Sequence, residues 1–150
     1  TGEEQSLRDY RGKVVLLYFG YTFCPDVCPA TMVELKRMMA ELGRDAKDVQ
    51  VIMISVDPGR DTPEQLGDYV TQFNPSFIGM TGSEEALLGI TTQLGIYYQK
   101  HEGTPATGYL VDHTATVSVM DRDGRLRLVF PFGTTGEDMA TDLQYLLHYD

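Results

Sequence analysis

A chain of 150 residues with 12 Lys plus Arg against 22 Asp plus Glu has a formal charge of −10 at pH 7. That length suits one domain able to bury a core without staples, and 42% hydrophobic with 23% charged residues excludes a disordered or fibrous chain. The acid excess argues against nucleic acid and anionic membrane surfaces as partners, and no apolar run approaches the roughly 18 residues of a membrane span.

The N-terminus, Thr1-Gly2-Glu3-Glu4, does not resemble a signal peptide. With no initiator Met it reads as trimmed, so that any address lies outside it. Val14 to Phe19 is a continuous apolar run closed by Gly20, the pattern of a strand buried on both faces. Pro29 suits the first turn of a helix; Met32, Leu35, Met39 and Leu42 follow at helical spacing, and Gly43 is a natural stop. Val49 to Ser55 reads as a second inner strand. Thr62-Pro63-Glu64-Gln65 combines an N-cap, a Pro at N1 and a Gln at N3, opening a helix to about Phe73. Ser83-Glu84-Glu85 opens another that runs to Gly95. Thr114 to Met120 alternates as a strand, Asp123-Gly124 is a hairpin turn, and Leu126 to Phe130 is the return strand. A last helix spans about Glu137 to Leu147, with Thr135 as its cap. The order is β-α-β-α-(β)-α-β-β-α. It is the thioredoxin-like α/β layout, a mixed central sheet flanked by helices with a helical insert, in one domain over residues 1–150.

Cys24 and Cys28 are the only cysteines. A bridge between them closes a tiny loop and constrains the unfolded chain little, which makes redox or metal chemistry the better explanation. Cys24 lies just beyond the first strand, where sites in open α/β sheets gather. If the segment coils helically, the C-x-x-x-C spacing puts both on one face, which suits two thiolates on one metal at least as well as a disulfide. Cys28 also abuts a helix N-terminus, which favours the thiolate. The motif alone does not choose between the two.

A metal site needs a further donor. His148 reads as a solvent-facing bystander, and His101 lies in the polar stretch Gln99 to Gly103, expected to be a loop. His113 immediately precedes the strand from Thr114, and in a thioredoxin layout the loop entering that strand runs beside the cysteines. Two soft thiolates and one imidazole suit copper, Cu(I) with three donors or Cu(II) with a weaker fourth. Structural zinc would want another strong ligand, and iron–sulfur clusters need more cysteines.

Three stretches carry a family resemblance: Tyr18-Phe19-Gly20-Tyr21-Thr22 leading into Cys24-Pro25-Asp26-Val27-Cys28-Pro29, then Ser55-Val56-Asp57-Pro58 with Arg60-Asp61-Thr62-Pro63, then Tyr109-Leu110-Val111-Asp112-His113-Thr114. In that order they resemble the Sco/SenC family of thioredoxin-fold copper-binding proteins, from about residue 7 to the C-terminus. The resemblance implies that Cys24, Cys28 and His113 are copper ligands. It also implies a metallochaperone that matures the dinuclear copper site of cytochrome c oxidase subunit II. The family is usually membrane-tethered by an N-terminal helix with this domain outside the cytoplasm, so the chain is expected at the bacterial periplasmic face or, alternatively, in the mitochondrial intermembrane space. It is expected to be monomeric and to meet another periplasmic copper carrier. Phe23 stands where relatives often have His. Asp57 and Arg60-Asp61 read as a strand-end turn and helix entry, or as groups that tune the site. Met32, Met39 and Met53 read as core, not as a methionine copper track. The competing function is a thiol-disulfide oxidoreductase that uses Cys24 and Cys28 to reduce the cysteines of the same oxidase site. A peroxidase of peroxiredoxin type is disfavoured, because no peroxide-cysteine motif is present.

Overall fold

The computed structural model describes residues 10, 12–20, 27–56, 61–83, 85–86, 89, 98–101, 110–113 and 116–149, without the side chains of residues 27–29, 98–101, 110–113 and 149. The elements are β1 (Val14–Gly20), α1 (Val27–Leu42), a 3-10 helix (Gly43–Asp48), β2 (Val49–Ser55), α2 (Pro63–Thr71) and β3 (Ile78–Met80). They continue with β4 (Tyr98–His101), β5 (Leu110–His113), β6 (Val117–Met120), β7 (Leu126–Phe130) and α3 (Gly136–Tyr149). The main sheet runs β3-β2-β1-β6-β7, while β4 and β5 form a separate antiparallel ladder. β1 pairs in parallel with β2 and antiparallel with β6.

All seven residues of β1 and all seven of β2 are buried, which explains why both read as unbroken apolar runs. Alternation along the strands divides them between two clusters. Val14, Leu16, Tyr18, Val51 and Met53 join Met32, Leu35, Leu66, Val70, Met139 and Leu143 from the three helices, whereas Leu17, Phe19, Ile52 and Ile54 form the cluster on the opposite face. Side chains of this size buried in full each stabilise by roughly 1.5–3 kcal/mol. Gln50, buried in β2, stays paired by donating from Nε2 to the Ser76 carbonyl ahead of β3 at 2.7 Å. Met32, Met39 and Met53 are core residues, as expected.

α1 ends at Leu42 and Gly43 turns left-handed at φ +55°, yet the chain continues as a 3-10 helix before β2. The cap of α2 is the expected one: Thr62 Oγ1 accepts from the Gln65 N–H, and Gln65 reaches back to the Thr62 N–H. That helix stops at Thr71, two residues before the expected end. In the insert, residues 85, 86 and 89 are helical and the Ala86 N–H donates to Ser83 Oγ at 3.1 Å; the remainder to Gly95 lies outside the described residues. Among the described residues no helix is long and apolar enough to cross a membrane.

The expected strand over 114–120 is shorter, beginning at Val117, with residues 114–115 outside the described residues. Ahead of it the chain makes β5, paired with β4 in the register Tyr98 to His113 and His101 to Leu110. His101 is therefore in a strand and not in the expected loop: its backbone is held by the ladder despite its polar sequence. α3 runs parallel to α1. Its first N–H, from Gly136, donates to Glu34 Oε1 at 3.0 Å, and near its far end His148 meets Asp45 Oδ2 at 3.1 Å. His148 is thus exposed as expected, but it ties α3 to the 3-10 helix.

Candidate metal centre

The carboxyl ends of β1 and β2 are level: Gly20 is the partner of Ser55, and the Val56 N–H donates to the Gly20 carbonyl at 2.8 Å. From that edge the chain crosses to α1, whose second residue is Cys28. The first N–H groups of a helix have no internal partner and carry its positive end, and the first turn of α1 contains no acidic residue to neutralise it. Cys24 lies outside the described residues.

β6 enters the sheet at the same edge. Val117 pairs with Tyr18, two residues before the end of β1. His113 closes β5 only four residues ahead of Val117, so its backbone is within about 14 Å of that point even with the chain fully extended. His101 sits three positions from the Tyr98–His113 pair along the ladder, roughly 10 Å of strand rise. The ladder therefore leads only His113 directly to this edge. Among the described residues no group of three metal-ligating side chains assembles; the side chains of Cys28 and His113 lie outside that set.

The same edge holds a buried acid. Asp61 is 1% exposed and accepts from Ser55 Oγ at 2.7 Å, Ser55 being the last residue of β2. Sequence reasoning weighed Asp61 only as part of a helix entry or tuning motif and missed its burial. The one available signal was a Ser at a strand end six residues before an Asp at a helix entry. Asp57 and Arg60, weighed with it, lie outside the described residues.

A parallel β1-α1-β2 unit, an antiparallel β6–β7 hairpin and a closing helix, with a cysteine in the first turn after β1, define a thioredoxin-fold protein. The SCO1/SenC family profile matches residues 1–148. The chain belongs to the SCO1/SenC family. It is 44% identical to apo Sco1 of Thermus thermophilus, with a TM-score of 0.83 and 93% of this chain and 83% of that one covered. It is 39% identical to Bradyrhizobium japonicum ScoI, a structure with copper bound, at a TM-score of 0.83 over 93% and 88% of the two chains. The human mitochondrial SCO1 homolog is 35% identical over 126 residues, 83% of this chain and 42% of that protein. The chain spans no more than 62% of the length of several curated relatives it matches.

Proposed function

We propose that this chain is a copper metallochaperone that holds one copper through the thiolates of Cys24 and Cys28 and the imidazole of His113. Its acceptor in this reading is the dinuclear copper site of cytochrome c oxidase subunit II. What supports the reading is that α1, with Cys28 as its second residue, follows β1, and that β6, four residues after His113, enters the sheet beside Tyr18 near the end of β1. The donor set supports it, because two thiolates and one imidazole match the softness of Cu(I). The copper-bound relative from Bradyrhizobium adds support at 39% identity.

The chemistry needs no change of oxidation state. Uptake of Cu(I) displaces the two thiol protons, and the helix N-terminus lowers the cost of holding the charge on Cys28. Release follows by ligand exchange: each incoming partner thiolate bonds to copper as a carrier thiolate leaves and takes up a proton, and the imidazole of His113 leaves as the neutral ring. We place the domain, residues 1–150, outside the cytoplasm as a membrane-tethered monomer, which receives its copper from another carrier.

Anaerobic Cu(I) titration of the reduced protein against a competing chelator tests this, with His113→Ala alongside. One equivalent is expected for the parent, and a loss of affinity in the variant larger than the roughly 10–100-fold that removal of an outer-shell group costs. Weak binding by both proteins, with a Cys24–Cys28 disulfide that exchanges readily, would overturn the reading in favour of a thiol-disulfide oxidoreductase.

A further inference from the structure

Between the N-terminal half of α1 and the turn joining β7 to α3 lies a cavity of about 110 Å³. Ala30, Thr31, Val117, Phe130, Phe132 and Met139 line it, and Glu34 is the only charged group among the described residues on its wall. Thr31 is nine-tenths buried, at 9% exposure, and its hydroxyl, itself closed off from solvent, has no hydrogen-bond partner among the described residues. The space is several times what one water needs, and its walls are mainly apolar. On its rim Phe132 leaves 53% of its surface in water. Thr31 is one helical turn beyond Cys28 and Val117 is four residues beyond His113, so an occupant stands beside the candidate metal centre.

The surroundings are acidic. Glu34 accepts from the Gly136 N–H and pairs with Arg37 at 3.1 Å, and the first turn of α3 adds the exposed Glu137 and Asp138 in a chain of net charge −10. We infer that this cavity docks the copper-exchange partner. It seats an apolar side chain flanked by Lys or Arg on a protein segment. The inference rests on the copper-handling reading above.

The test uses the full chain and, as probe, the soluble copper domain of oxidase subunit II from the same organism. Complex formation is measured by calorimetry, and Cu(I) affinity separately by chelator competition. Phe132→Ala and the double variant Glu137→Lys/Asp138→Lys should each weaken the complex roughly tenfold or more. Cu(I) affinity should change less than about twofold in both, because neither removes a proposed ligand. Variants that dock as well as the parent, or a parent that does not bind the domain, would overturn the docking site. So would self-association of the parent that the same variants abolish, which would make a second copy the occupant. A parent that holds no Cu(I) fails the copper reading in the competition assay, whatever the calorimetry shows.

Discussion

Asp61 holds its carboxyl in the interior, bonded by Ser55 Oγ at the edge where β1 and β2 end. Truncating it removes the carboxylate that accepts from Ser55 Oγ and opens a void, so Asp61→Ala should cost about 2–4 kcal/mol. Asp61→Asn keeps an acceptor for Ser55 and should recover much of that in urea denaturation; equal losses in both variants would show that more than the hydrogen bond is at stake. At this scale the sequence is least legible. Asp61 in Arg60-Asp61-Thr62-Pro63 looks like any acid ahead of a helix, because burial is decided by which strand end faces it.

The β6–β7 hairpin shows how one side chain organises an element. Asp121 Oδ1 accepts from the N–H groups of Asp123 and Arg125, both at 2.9 Å, while Gly124 takes φ +83° to complete the turn. The Arg125 N–H, with lesser help from the Asp123 N–H and the Arg127 guanidinium, holds the Asp121 carboxyl below its ordinary value of 3.8. A lowered carboxyl contributes stability above the unfolded value, and that contribution is lost as pH falls through the folded one. Acid denaturation should therefore show a loss from about pH 4 downwards that Asp121→Asn flattens, with the variant already less stable at neutral pH. Elements with a local code were legible: the Asp123-Gly124 turn, the Thr62–Gln65 capping box, and Thr135, whose Oγ1 accepts from the Asp138 N–H at 3.2 Å. The β4–β5 ladder was not, because strands of four residues such as Tyr98–His101 are too short and polar to show a period. Their pairing is fixed by partners nine or more residues away.

Among the described residues β1, β2 and the helices α1, α2 and α3 were readable from apolar spacing and helix-start signals, since strands buried on both faces show as unbroken apolar runs. The direction of α3 against α1 was not, because it depends on a contact between residues 102 apart, Glu34 and Gly136. A Cβ at Gly136 would stand 2.7 Å from the Glu34 carbonyl oxygen and 2.7 Å from the Met38 nitrogen, both backbone atoms that cannot turn aside. Gly136→Ala should then separate the helices and lower stability by about 2 kcal/mol or more. It should also strip protection from hydrogen exchange along α3, whose Met139, Leu143 and Leu146 are buried in the core. A loss confined to the last turn would instead indicate simple fraying.

The parallel course of α1 and α3 also fixes how the molecule can be held. α3 carries the chain away from the Cys28 end over 14 residues, about 21 Å of helix. A linker leaving the end of α3 at Tyr149 would depart from the side facing away from the Cys28 turn. Coupled to a sensor surface through that point, the protein would turn its cysteine edge and the cavity beside it outward, free for a partner in solution to reach.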